Sequence, residues 1–229
     1  MGPEDRRAAE ERPRAEAQAG ALTNTLERIE AHWVTQGVPI TAHLAPGLTD
    51  EEIDDLLEST GVELNEVVRA IFRWHNGATA NDPDLGRGAP DAELPNGRRF
   101  YPLAYLLNYW RTTWTERGLE YGREISDDDG PYGPWGPNWF PLFIDQSERA
   151  PVVMKASQRR WDTQGPIHIA GLYDADSPQT AAKLSSVVPF FEFLLLWLEH
   201  GYMTWDPALR EWKYDRSIDK MTFRATWWW

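Results

Sequence analysis

The chain has 229 residues, of which 41% are hydrophobic and 26% are charged, a balance typical of globular proteins rather than disordered ones. It contains no cysteine, which excludes disulfides, thiolate metal sites and a cysteine nucleophile. Lysine and arginine together number 23 and aspartate and glutamate 36, so the formal net charge is −13. Such a surface repels nucleic acid phosphates and attracts a basic partner, although acidity can equally serve solubility alone.

The organisation of the chain is predicted from composition along its length. Residues 1–20 are rich in Ala, Glu and Arg and poor in apolar side chains, which favours a flexible N-terminal arm or a frayed helix. We assign 21–215 to a single domain and 216–229 to a tail, in which Trp227–Trp229 either dock on the domain or contact another chain. We expect no signal peptide, because the start has no apolar segment behind it, and the longest apolar run, 187–198, is shorter than the ~20 residues of a membrane span. We therefore expect a cytoplasmic protein without a membrane partner.

The first helical pattern lies directly after the predicted arm. Leu22, Leu26, Ile29 and Trp33 are spaced as one face of an amphipathic helix, which is predicted to end near Gly37.

Two shorter helices are predicted from their capping signals. Thr49 followed by Glu52 has the pattern of a capping box, and Asn65 is a good N-cap for the next helix. The pair Asn76 and Gly77 fits a left-handed C-cap for that second helix.

The second half of the chain alternates loops with apolar segments. A helix is predicted from about Leu103 to Arg117, between loops at 78–98 and 118–138. Three extended apolar segments, at 139–144, 151–154 and 167–169, then have the pattern of an antiparallel meander. An apolar helix capped by Ser186 and a short hairpin follow. The order predicts an α+β fold with a mostly antiparallel sheet packed against N-terminal and C-terminal helices.

No common catalytic motif is present. The phosphate loop, the dinucleotide fingerprint, the zinc helix and the nucleophile elbow are all missing. None of the five histidines has another at metal-ligand spacing, and His75, beside a predicted helix end, favours a structural role. We therefore predict no enzyme activity, no metal site and no cofactor.

The loop at 118–138 supplies our candidate partner-binding residues. Its acidic cluster lacks the spacing of a calcium-binding EF-hand, so a solvated loop is favoured over a metal site. Acidic side chains can meet a partner's arginines while neighbouring aromatics are buried at the centre of an interface. The alternative is that the aromatics cover the edge of the sheet. The candidates are Asp127, Asp128, Asp129, Tyr132 and Trp135.

An ordered series of short motifs resembles the SUKH superfamily, in particular its Smi/Knr-like branch. The resemblance covers roughly residues 30–205, and the Trp-His-Asn-Gly run at 74–77 is its most specific part. The motifs are Gly47–Ile53, Thr60–Leu64, Ile71–Gly77, Phe100–Leu103, Trp135–Leu142 and Ser186–Leu194.

The resemblance implies a fold and a class of function. It implies an α+β fold without catalytic residues. Many bacterial relatives resemble immunity proteins that bind and neutralise a cognate toxin, often a nuclease, of a polymorphic or contact-dependent system, and fungal relatives resemble regulatory scaffolds. Our leading hypothesis is an immunity protein for a basic toxin, and the alternative is a regulatory or scaffold protein with an endogenous partner. An enzyme that uses scattered residues such as His75 and Glu192 ranks below both.

Overall fold

The computed structural model describes residues 2–78, 93–94, 98–120, 139–145, 152–156, 159–163, 167–169 and 186–215. The helices are α1 (Pro3–Gln36), α2 (Asp50–Leu57), α3 (Glu66–Trp74), α4 (Leu103–Glu120) and α5 (Val188–Glu199), with a 3₁₀ turn at Pro39–Ala42. The strands are β1 (Leu44–Pro46), β2 (His75–Ala78), β3 (Glu93–Leu94), β4 (Arg98–Arg99), β5 (Trp139–Asp145), β6 (Val152–Lys155), β7 (Ile167–Ile169), β8 (Met203–Asp206) and β9 (Glu211–Tyr214).

The predicted α+β fold with antiparallel strands is confirmed. The main sheet has the order β3-β4-β5-β6-β7, and all of its neighbouring strands are antiparallel. The pairs β1-β2 and β8-β9 form two small sheets. The predicted meander corresponds to β5, β6 and β7.

The prediction of a continuous loop at 78–98 was wrong, because β3 and β4 extend the main sheet there. Two-residue strands carry no periodicity, so only their pairing, of β3 with β4 and of β4 with β5, reveals them.

Helix α1 begins much earlier than the sequence predicts. Residues 3–20, assigned above to a flexible arm or a frayed helix, are helical, and α1 continues without a break to Gln36. Alanine, glutamate and arginine are strong helix formers, and ion pairs one turn apart join Arg7 to Glu11 and Arg12 to Glu16. Together with the burial of Ala15 and Ala19, these local preferences offset the backbone hydrogen bond lost at Pro13.

The N-terminal half of α1 also contacts the loop before β7. The Trp161 ring lies beneath two guanidinium groups, those of Arg12 and Arg160, whose central carbons are 4.9 and 5.0 Å from its centroid. An ion pair of 3.9 Å joins Arg7 to Asp162 on the same loop. Cation–π contacts and ion pairs of this kind position the helix against the domain.

The core lies between α1, α3, α5 and the main sheet. The apolar face predicted for α1 is fully buried; it consists of Leu22, Leu26, Ile29 and Trp33. Aromatic rings connect the layers, with Phe143 of β5 lying 6.0 Å from Phe100 and 5.5 Å from Phe190 of α5 between ring centroids. In the described part of the chain, no helix is both long and apolar enough to cross a bilayer.

Both predicted caps of the short helices are confirmed, but the predicted C-cap is not. The cap predicted at Ser186 is also not formed, because α5 has Val187 at its N-cap position and no side-chain cap hydrogen bond. The Thr49 hydroxyl accepts a hydrogen bond from the backbone N–H of Glu52. In return, the Glu52 carboxylate accepts one from the backbone N–H of Thr49. The Asn65 side chain accepts from the Val68 amide. Helix α3, however, ends directly in β2, because residues 75–78 pair with β1. Gly77 therefore adopts its left-handed conformation (φ +74°) inside a strand.

Candidate functional site

The residues predicted to bind a partner lie outside the described part of the chain. This holds for Asp127, Asp128, Asp129, Tyr132 and Trp135, and also for the tail at 227–229. The assignment of the loop at 118–138 to an interface therefore stays a prediction. The site described below is built from α2, α3 and the loop at 159–163.

Helix α2 divides its side chains between the core and the surface. Ile53 and Leu57 are buried in the core. On the outer side, Glu51, Asp55 and Glu58 are exposed, and their carboxylates have no hydrogen-bond or ion-pair partner among the described residues. Their three negative charges are therefore available to a partner.

The inner acidic residues of α2 belong to an ion-pair network. We call it the arginine–carboxylate network, and it contains three cations and three anions: Arg69, Arg73, Arg160, Asp50, Asp54 and Glu66. The network is balanced in charge and joins α2, α3 and the loop at 159–163.

Two buried side chains organise the network. Arg69 is 7% exposed, and it donates to Asp50 at 3.4 Å and to Asp54. Glu66 is 6% exposed, and its carboxylate forms ion pairs with the guanidinium groups of Arg73 at 2.7 Å and Arg160 at 3.1 Å. Each buried charge thus meets opposite charges, the arrangement in which buried ions are tolerated.

The network shifts the titration of Asp50. Partial burial alone would raise the pKa of its carboxyl group, but the attraction of Arg73, Arg160 and Arg69 outweighs burial. The pKa of Asp50 is therefore held below its ordinary value of 3.8. Asp50 stays ionised at neutral pH and holds α2 against α3.

A groove runs beside the network, between the end of α2 and the loop at 159–163. We call it the α2 groove; its volume is about 640 Å³. Its lining combines four carboxylates with three arginines, and Leu57 and Val62 contribute apolar surface; the charged residues are Asp54, Asp55, Glu58, Glu63, Arg69, Arg159 and Arg160. Polar and charged side chains beside a smaller apolar area are common in protein interfaces.

The motif that carries the family resemblance has a structural role. The indole N–H of Trp74 donates to the Glu30 carboxylate of α1 at 3.0 Å. The His75 ring faces two acceptors, the Ala45 carbonyl at 2.8 Å from Nδ1 and the same Glu30 oxygen at 3.2 Å from Nε2. Both ring nitrogens are engaged within the fold, which agrees with the structural role expected for His75.

No metal-binding group is present in the described ranges: nowhere in them do three His, Asp or Glu side chains come together as ligands. Comparison with known proteins adds no assignment, because neither the protein-family models nor the curated protein sequences contain a match to this chain.

Sequence reasoning missed the arginine–carboxylate network. Arg69 and Arg73 are one helical turn apart, a spacing that places them on one face of α3. Arg160, however, lies 94 positions after Glu66, and no local pattern connects the two. Only the folded chain brings the cation to the buried carboxylate.

Proposed function

We propose that the chain is an immunity protein that binds a cognate, basic toxin domain in the cytoplasm and neutralises it without catalysis. A nuclease of a polymorphic or contact-dependent system is the favoured toxin class. The observation that carries the proposal is the outer face of α2, where Glu51, Asp55 and Glu58 are exposed and unpaired within the described structure.

The charge distribution supports a basic partner. The inner carboxylates of α2 are neutralised by arginines, whereas the outer three are not, so the outer face of α2 is negative. Two of its residues, Asp55 and Glu58, also line the α2 groove. Such a face accelerates encounter with a positive surface, and a nuclease needs a positive surface to bind phosphates.

The rigidity of the face supports the same proposal. The capping box fixes the start of α2, and the arginine–carboxylate network ties its inner side to α3. A preformed acidic helix loses little conformational entropy on binding, which favours affinity. The ordered series of SUKH-like motifs and the absence of cysteine agree with a cytoplasmic binding protein.

The decisive experiment identifies the partner and tests neutralisation. The full chain is used to capture its partner from the native cell, the partner is identified by mass spectrometry, and its toxicity is measured with and without co-expression of the chain. We expect a basic protein that stops growth alone and is harmless in the presence of the chain. Recovery of a non-toxic housekeeping protein would support the regulatory alternative instead.

Charge-matched variants then test the surface. The triple variant Glu51→Gln, Asp55→Asn and Glu58→Gln is compared with Glu10→Gln, Glu192→Gln and Glu211→Gln, which removes the same charge from other exposed positions. We expect the first variant to slow association with the toxin about tenfold at low salt and the second to change it little. Equal effects of the two variants would show that only net charge matters and would remove α2 as the contact.

A further inference from the structure

A second groove lies between α1 and α3, and we call it the α1 groove. Its volume is about 460 Å³, within the range of ligand-binding pockets in proteins. Its lining includes Glu16, Gly20 and Glu27 from α1 and Glu66, Arg73 and Trp74 from α3.

The α1 groove exists because α1 carries small side chains where it faces α3. Gly20 contributes no side chain, and an added Cβ there would meet no atom within 4 Å. Its neighbours in the lining, Ala19 and Thr23, are also small. Gly20 is not needed for backbone conformation, because its φ is not positive. The space is therefore left open by the side chains and not by the path of the backbone.

The walls of the α1 groove combine an aromatic ring with negative charge. The partly exposed Trp74 lines the groove, and its indole N–H is already bound to Glu30, which is not part of the lining. Glu27 is exposed and has no partner among the described residues. The only cation in the described lining, Arg73, is held by Glu66 at 2.7 Å and by Asp50 at 3.3 Å.

We propose that the α1 groove receives an arginine side chain of the partner protein. A guanidinium group stacks on an indole ring and pairs with a carboxylate at the same time, which an ammonium group does less well. The site offers both elements, in Trp74 and Glu27, and a space of suitable size between them. The proposal rests on the basic partner inferred above and adds a second contact, distinct from the α2 groove.

The first test uses a defined probe and needs no knowledge of the partner. A blocked tripeptide with a central arginine is titrated into the ¹⁵N-labelled full chain, in parallel with citrulline and lysine versions. Citrulline keeps the shape of arginine and removes the charge. We expect saturable shifts of the Trp74 indole N–H and the Gly20 amide with the arginine peptide. The citrulline peptide should bind at least about tenfold more weakly.

Two substitutions at Gly20 test the site without threatening the fold. Gly20→Leu places a side chain into the open space, and Gly20→Ala is its matched control with only a methyl group. Both favour the helix over glycine. We expect the arginine peptide to lose binding to the leucine variant and to keep it with the alanine variant. Glu27→Gln should weaken binding about threefold, and Glu192→Gln, on α5, should leave it unchanged.

The outcomes separate this proposal from the immunity function. Equal shifts with arginine and citrulline, binding that survives Gly20→Leu, or equal binding of lysine and arginine would overturn the assignment of an arginine site. None of these results would affect neutralisation of a toxin through the outer face of α2. Failure to find a toxin, conversely, would leave the peptide titration as a valid measurement of the α1 groove.

Discussion

The side-chain oxygen of Asn76 accepts a hydrogen bond from the backbone N–H of Leu103 at 2.9 Å. Leu103 is the first residue of α4, and N–H groups in the first turn of a helix have no partner within the helix. Asn76 therefore caps a helix that begins far along the chain. The Trp-His-Asn-Gly run thus joins α1, β1 and α4 to the end of α3.

Loss of this remote cap is expected to destabilise the fold. Asn76→Ala removes the acceptor and should lower the free energy of unfolding by about 1 kcal/mol, the usual effect of deleting a helix cap. Asn76→Asp keeps an acceptor oxygen at the same place and should retain most of the stability. Urea unfolding followed by tryptophan fluorescence measures both variants. Equal losses in the two would show that the cap contributes nothing.

The next residue, Gly77, is expected to tolerate no side chain. Its φ is +74°, and a Cβ would lie 2.4 Å from the backbone of both Tyr101 and Pro102. Gly61 has the same φ, but a Cβ there would meet nothing within 4 Å. Gly61→Ala should therefore cost only the left-handed strain, about 1–2 kcal/mol. Gly77→Ala should cost more than about 3 kcal/mol or prevent folding. Similar unfolding free energies for the two would contradict the close approach.

Features with local determinants were predictable from the sequence. The capping box at Thr49, the N-cap at Asn65 and the three strands from β5 to β7 depend on residues close together in the chain. The buried stripe of α1 is equally local, because four side chains at helical spacing define it.

Features with distant determinants were not predictable. Residues 75–78 form a strand only because β1 lies beside them, and this pairing displaces the C-cap that their sequence suggests. The charge balance on α2 depends on Arg160, which reaches Asp50 across 110 positions. The same holds for the candidate site. The sequence predicts the acidic helix α2, but it does not show which of its carboxylates are neutralised by arginines.

The docking of the first half of α1 can be tested by two substitutions in that helix. Ala15 is fully buried, whereas Ala17 is exposed. Ala15→Asp places an unpaired charge against the domain and should lower the free energy of unfolding by more than about 2 kcal/mol. Ala17→Asp should lower the free energy of unfolding only through the lower helix propensity of aspartate, by about 0.7 kcal/mol or less. If residues 3–20 were instead a free arm, denaturant unfolding would give the same small loss for both variants.

The arginine–carboxylate network is expected to make stability depend on acid pH. The pKa of Asp50 is lower in the folded protein than its ordinary value of 3.8, because the attraction of Arg73, Arg160 and Arg69 outweighs the opposing effect of burial. The unfolded chain therefore takes up the proton more readily than the folded one as the pH falls. The stabilisation is complete above the ordinary pKa and is lost as the pH falls through the folded pKa.

Asp50→Asn should flatten this dependence, because asparagine does not titrate. The free energy of unfolding is measured by urea titration from about pH 6 to about pH 2.5, a range that spans the ordinary pKa of aspartate. Glu52 and Asp206 also have lowered pKa values, and in the variant they still contribute to the pH dependence of the free energy of unfolding. Asp55→Asn is the matched control, since Asp55 is exposed and has no ion pair among the described residues. As the pH falls, we expect Asp50→Asn to lose less of its free energy of unfolding than the wild type, and Asp55→Asn to lose as much as the wild type. Parallel pH curves for all three proteins would mean that the arginines do not stabilise the ionised form of Asp50.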